Sequence, residues 1–566
     1  MVQKVYRGCF LFLPVFIWLI LPISATAQTV PIGDLREDQL RLQQLLNDSL
    51  TTSFVHRPVW SRVYDTYMDA AEGRPGWWNR KLEPYEMDLG HGFSFGLFEP
   101  FLQSTINSHL PVGENNAAAW HGRGITSDLQ GGFFITSEYA TLTFRPQIVY
   151  QQNVRFRRPR FIGTGPDGER LFEAEAIGHR IDAPYRFGPD PFWTFDRGHS
   201  SVRIHYEQFE FGASSEPLWW GGAVHYPLML SNNAPGVQHI FAGTRAPVRI
   251  PWFGEIEFNW MMGWPEDSEW FVPRQPVSER FINAINFSWS PAPLPGLYLG
   301  LTRAYIMQIP EGVSWEHIRI IFESPRTSPP RPDDPEVTGR ANVDQAASIY
   351  LRWLFPRANA EIYGEFFRED HSYDFRDFLM QPHHNSGYSF GFQKIFFVPR
   401  LDFLKMNMEA TNLTPSRLDE VRWQTYYYTH SRILQGHTNR GQVLGAAIGP
   451  ASSSFYLSLD GYKDDYQVGI FGQRWVENDH FHYRFNTGQD RPWGDGDIYY
   501  HRVNLNLGVR ALWGPGPFYL QGKLMWTKAF NYGRYEYSSI SGMDWGDRVR
   551  DDEHNIQFQL SIRYLF

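Results

Sequence analysis

In the last stretch of the chain, NIQFQLSIRYLF, apolar Ile556, Phe558, Leu560, Ile562, Tyr564 and Phe566 share one parity, while Gln557, Gln559, Ser561 and Arg563 share the other. Strict period two predicts a strand with one apolar and one polar face. The pattern recurs upstream, where Leu142, Phe144, Ile148 and Tyr150 alternate with Thr141, Thr143, Arg145 and Gln147. Val503, Leu505, Leu507 and Val509 likewise alternate with Asn504, Asn506, Gly508 and Arg510. The chain then meets Gly514-Pro515-Gly516-Pro517 and resumes with Phe518, Leu520, Leu524 and Trp526, which reads as a hairpin. A second hairpin is predicted where Pro356-Arg357 interrupts one alternating run and Ala360, Ile362 and Phe366 begin the next.

One region follows a different period. From Gly33 to Leu50, Asp34 is placed to cap a helix in which Leu35, Leu42, Leu45, Leu46 and Leu50 keep rough helical spacing. Residues 28–90 therefore read as a small helical element preceding the strands, and 91–566 as the strand-rich body. Ahead of it, Lys4 and Arg7, an apolar run from Phe10 to Ile23 and the small residues Ala25-Thr26-Ala27 have the layout of a secretory signal peptide over residues 1–27. That apolar run falls short of the ~20 residues a spanning helix needs.

Mean hydropathy is −0.42 although 17% of the residues are aromatic, and no later apolar run is long enough for a spanning helix. A helical membrane protein does not combine these features. A transmembrane β-barrel does, because only alternate side chains meet lipid, aromatic girdles mark its interfaces, and lumen and loops stay polar. About 475 residues at roughly 25 per strand and connection predict an all-β antiparallel barrel of about 18 strands, with the helical element as a periplasmic plug. Short turns belong to the periplasmic rim, and the long polar inserts Glu323–Asp344, Pro166–Arg180, Pro265–Glu279 and Asn486–Asp497 to the outer one. The formal charge of −9 argues against nucleic acid, and Cys9 is the one cysteine, so no disulfide is available.

Several ordered blocks resemble the capsule assembly Wzi family of bacterial outer-membrane proteins. They are NSHLPVGENNAAAWHGRG (Asn107 to Gly124), SSEPLWWGGAVHYPLMLSNNAPG (Ser214 to Gly236) followed by Gly243-Thr244-Arg245-Ala246-Pro247, AEIYGEFFRED (Ala360 to Asp370) and HSRILQGHTNRGQVLGAAIGP (His430 to Pro450). Departures from the family pattern fall at Pro217, Gly222-Ala223 and His437. The resemblance implies an outer-membrane barrel with a periplasmic helical plug that binds capsular polysaccharide and helps hold the capsule at the cell surface. A terminal strand ending on Phe566 is similar to those read by the barrel assembly machinery.

Two readings of the tryptophan block stay open. Trp219 and Trp220 would stack on sugar rings while His225, Asn232 and Asn233 supply hydrogen bonds, or the pair would serve as a bend or an interfacial girdle. In the later block, Gln435, His437 and Arg440 mix polar and aromatic character, and Arg440 would either meet an acidic sugar or be neutralised by lumen carboxylates. Glu361 and Glu365 share a parity with Tyr363, which fits a polar network with an arginine such as Arg352 better than a hydrolase pair. No metal motif is present: the adjacent His383 and His384 would point to opposite faces of a strand. The sequence thus predicts a non-enzymatic polysaccharide binder without cofactor or metal, embedded in outer-membrane lipid, with a solute channel as the alternative.

Overall fold

The computed structural model describes residues 28–47, 52–158, 160–162, 171–173, 177, 180–273, 276–323, 343–369, 375–415, 427–478, 502–532 and 552–566. The expected signal peptide and the insert Asn486–Asp497 lie outside them, as do most of Pro166–Arg180 and Glu323–Asp344.

The alternating segments close into one antiparallel barrel of 18 strands among the described residues. Closure is made by the last strand, Glu553–Tyr564, pairing with Phe93–Asn107 in the register Gln557↔Asn107 to Arg563↔Phe101. Every apolar member of the terminal pattern faces out, from Ile556 at 54% exposure to Phe566 at 56%. Outward Leu102, Ile125, Leu301, Phe390, Val468 and Val509 extend the same belt around the wall. Inward Thr105, Thr302, Gln393, Asn407, Gln473 and Asn506 are buried in the lumen. An apolar exterior around a polar interior suits lipid outside. Among the described residues no helix is long and apolar enough to cross a membrane, so the strands do the crossing.

Both predicted hairpins form. Val503–Trp513 pairs with Phe518–Phe530 across the Gly-Pro turn. Val343–Phe355 pairs with Ala360–Glu369, the corner being a 3-10 turn at Pro356–Ala358 followed by left-handed Asn359 (φ 49°). Such short connections cluster at one rim and the long ones at the other, which sets the periplasmic and outer ends respectively.

Helix α1, Leu35–Leu46, starts where Asp34 accepts a hydrogen bond from Arg36 N, and it stops at Asn47. A second helix, α2 (Ser61–Ala71), was not apparent in the sequence pattern. Both pack inside the short-turn end: Leu40, Leu45, Tyr64, Met68, Trp77 and Trp78 form a core with the wall residues Leu354, Ile395, Phe403, Tyr462 and Tyr519. Ions lock this plug to the closing strand. Asp34 meets Arg563 at 2.5 Å and Arg145 at 3.5 Å, while Glu99 receives Arg36 and Arg563, each at 2.6 Å. The plug is not purely helical, since Thr29–Val30 pairs with Val59–Trp60 and His56–Arg57 with Trp219–Trp220. The wall begins at Tyr85–Gly90, a strand that pairs with Phe93–Leu97, ahead of the boundary at 91 that the sequence suggested.

Candidate functional site

The tryptophan block leaves the strand Phe209–Ser214 at the outer rim and folds down into the lumen instead of out from it. Gly221 holds φ at 98°, and a Cβ on Gly222 would come within 3.0 Å of Tyr363 Cβ and 3.2 Å of Arg352 Cβ. Only glycine lets backbone pass that close to the wall. The wall receives the loop with carboxylates. Glu409 accepts the successive N–H groups of Val224 (2.9 Å), His225 (3.1 Å) and Tyr226 (2.8 Å), together with the Tyr363 hydroxyl (2.7 Å). Glu365 accepts Leu228 N at 3.0 Å. Glu361 is bracketed by Arg41 Nε (2.7 Å) from the plug and Arg352 Nε (2.8 Å) from the wall. The Arg352 partnership matches the sequence reading, and both glutamates are buried.

This placement corrects the girdle reading of Trp219 and Trp220 and removes both rings from reach of a polymer. Trp219 is 4% exposed; its Nε1 donates to Ala223 O (3.1 Å) and the Arg57 guanidinium lies 4.3 Å from its ring centroid. Trp220, 1% exposed, sits in an apolar core with Tyr226, Leu228, Met229, Tyr428 and Ile448. His225 is half-buried against Tyr456, ring centroids 4.0 Å apart, and burial, reinforced by nearby Arg510, Lys405 and Arg41, pulls its pKa down to about 3. Asn232 donates to Asn115 O (3.2 Å) and Asn233 to Val443 O (2.9 Å), tying the block to its neighbours.

The later block descends beside it. Gln435 Nε2 donates to Ser278 O (3.0 Å) and Asp267 (3.2 Å). His437 Nε2 lies 2.8 Å from Met229 O, its ring stacks on Tyr428, and burial lowers its pKa to about 4. These polar residues are fasteners between two inserted loops, whose combined apolar core fills the outer half of the lumen.

Arg440 alone of the predicted set reaches a large outward cleft. It is held at 2.6 Å by Asp196 and at 3.8 Å by Glu266, which agrees with the second of the two readings the sequence left open, an arginine balanced by carboxylates. The cleft has a volume of about 530 Å³ and is lined by Trp120, Phe187, Phe192, Trp193, Trp270, Asp190, Glu266, Glu269 and Gln442 among others. Trp120 and Phe187 stand 5.2 Å apart. Trp270 closes so tightly over Gly188 (φ 72°) that a Cβ there would lie 2.4 Å from its ring. The floor is rigid: Asp182 accepts Ser268 N (2.6 Å) and Ser268 Oγ (2.5 Å), and Arg280 Nη1 donates to Gly436 O (2.8 Å) and Thr438 O (3.0 Å). Burial raises the pKa of Asp182. A cleft of this size, walled by flat rings and rimmed with carboxylates and amides, has the makings of a site for a hydroxyl-rich ligand. Asn233 lines a smaller adjoining cavity of about 180 Å³, across Trp120 from the first.

Sequence reasoning missed Trp120, Phe187, Trp270 and Glu409. The available signal for Trp270 was its place in the long insert Pro265–Glu279, and for Glu409 its parity with Asn407 and Thr411. Among the described residues no group of three or more His, Cys, Asp or Glu is arranged to hold a metal ion.

A family model described as capsule assembly protein Wzi matches residues 124–468. No curated protein matches the chain. Among solved structures, Wzi of Escherichia coli, described as an outer-membrane carbohydrate-binding β-barrel involved in group 1 capsule assembly, superposes with a TM-score of 0.57 at 13% identity, covering 96% of this chain and 100% of that one. The outer membrane protein OprD of Pseudomonas aeruginosa gives a TM-score of 0.37 at 8% identity, over 83% of this chain and 92% of that one.

Proposed function

The chain belongs to the capsule assembly protein Wzi family, and from that premise we propose that it is an outer-membrane, lectin-like barrel that binds capsular or another surface polysaccharide and helps assemble or retain it at the cell surface. The observation that carries this reading is the outward cleft of about 530 Å³ in which Trp120, Phe187 and Trp270 meet polar groups. Flat rings beside fixed donors and acceptors suit sugar faces and hydroxyls. Contacts of this kind are individually weak, and many barrels engaging one long polymer raise retention through effective concentration.

The action is binding and not catalysis: Glu361 and Glu365 lie beneath the plug and the inserted loops, consumed by Arg41, Arg352 and Leu228. A solute channel is disfavoured by the filling of the lumen from both ends. Around the wall, the outward apolar belt is the surface for lipid, and the strand ending at Phe566 is the segment offered to the assembly machinery. Cells carrying a protein with its outer segments trimmed test the reading. Retention of surface polysaccharide should fall while the barrel remains folded in the membrane, and unchanged retention would remove the basis for it.

A further inference from the structure

The chain holds more acid than base, 61 Asp and Glu against 52 Lys and Arg, yet one place at its outer rim gathers several arginines. Arg155, Arg157 and Arg158 follow closely on the strand Gln147–Gln151. Their approach prolongs the wall, since Gln152 N donates to Ile125 O (2.8 Å) and Val154 N to Arg123 O (2.9 Å). Arg123 directly precedes the strand Gly124–Ser137 and is half-buried at its outer end, two residues from outward Ile125, which is 40% exposed.

The guanidinium of Arg123 donates to Arg155 O (2.8 Å) and Ser108 O (3.0 Å). Arg186 is clamped in the same way, by Asn153 Oδ1 (3.1 Å), Asn153 O (2.6 Å) and Pro189 O (2.7 Å). Arg155 is exposed and, among the described residues, makes no hydrogen bond or ion pair through its side chain. Neutral acceptors therefore fix two of these forks in place without cancelling their charge. Arg157 differs, having Glu553 at 3.5 Å. Burial, and after it the charges of Arg158 and Arg155, lower the pKa of Arg186, with Asp190 opposing. The charges are thus close enough to repel one another, and an anion placed among them would relieve that repulsion.

Just below stand Tyr150 and Trp193, paired across strands with ring centroids 5.0 Å apart, and Trp193 is 70% exposed on the outward face. Outward aromatic pairs of this kind mark the level where hydrocarbon gives way to headgroups. The arginines one step higher stand at headgroup height, and planar guanidinium forks match phosphate geometry better than point charges do.

We propose that Arg123, Arg155 and Arg186 form a site for the phosphate groups of an outer-leaflet glycolipid, fastening the outer rim of the barrel to the lipid around it. The site adjoins the aromatic cleft, whose lining includes Trp193 and Pro189.

The test uses the full-length folded barrel with bisphosphorylated lipid A and its dephosphorylated counterpart, lipid retention being read by native mass spectrometry. Wild type should keep the phosphorylated form preferentially, and the preference should shrink with added salt. Arg155→Gln breaks no structural bond and should weaken retention roughly fivefold, with a larger loss in the triple variant Arg123→Gln/Arg155→Gln/Arg186→Gln. If the triple variant misfolds, the single variant decides. Equal retention of the two lipids, or an unchanged Arg155→Gln, would overturn the proposal. So would variants that keep lipid A phosphate but lose binding to a soluble polyuronate, because the anion would then be a glycan carboxylate.

Discussion

The Arg57 guanidinium of the plug lies 4.3 Å from the ring centroid of Trp219, which belongs to a loop inserted from the opposite end of the barrel. Two segments that enter the lumen from the periplasmic and outer rims therefore meet face to face in its middle. Their backbones pair as well, Trp219 with Arg57 and Trp220 with His56. Gly221 N also donates to Val55 O (2.9 Å), so the plug and the inserted loop are joined directly.

Trp219→Ala should cost about 3–5 kcal/mol, the usual range for emptying a buried aromatic site. Arg57→Ala should cost a similar amount, since it gives up a cation–π contact worth about 2 kcal/mol when desolvated and the hydrogen bond to Ala223 O, and leaves buried Glu37 without its partner at 3.5 Å. Hydrogen exchange should quicken at Val55–Val59 in both variants while the strands stay protected. In planar bilayers wild type should pass little current, and Trp219→Ala should show intermittent openings.

Glu361→Gln leaves Arg41 and Arg352 buried without their shared carboxylate, and breaking a buried pair in this way costs about 3–5 kcal/mol. Glu365→Gln should be far milder, because an amide oxygen can still accept Leu228 N–H. Denaturant midpoints of the two variants check the ordering. The ranking would be reversed if Glu365 carried the network.

Acid should loosen the inserted loops. Burial lowers His437 to about 4 and His225 to about 3 from an ordinary 6.5, so the unfolded loop binds protons that the folded loop refuses. Their contribution to loop stability is complete above pH 6.5 and is lost as pH falls through the lowered values. Local exchange rates near Met229 and His437, corrected for intrinsic chemistry, should be flat above pH 7 and rise below pH 6. His437→Gln should blunt the rise, its amide keeping a donor for Met229 O.

The wall was legible in the sequence because period two is a direct imprint of a sheet with lipid on one side. Leu142, Phe144, Ile556 and Phe558 point outward as their parity says. The site was less legible, because parity assigns a face only to residues in strands. Trp219 and Trp220 look like a girdle or a platform in isolation, and their burial follows from a loop path set by Glu409, which holds Val224 from 185 residues away along the chain. For Arg440 the sequence left two readings open, an acidic sugar or lumen carboxylates, and its partners Asp196, at the end of the strand Phe192–Asp196, and Glu266 come from distant parts of the chain. Trp120, Phe187 and Trp270 likewise converge from three separate segments, which no local pattern reveals.

The central claim is that the outward aromatic cleft holds a surface polysaccharide. The most direct measurement is titration of the purified, folded barrel with the host's own surface polysaccharide, with Trp270→Ala, Trp120→Ala and Arg440→Ala run alongside. The account predicts saturable binding that weakens roughly tenfold when Trp270 is removed from the folded barrel. Arg440→Ala should have a smaller effect, since its charge is already matched by Asp196 and Glu266. Absence of binding by wild type, or full affinity in folded Trp270→Ala and Trp120→Ala variants, would contradict it.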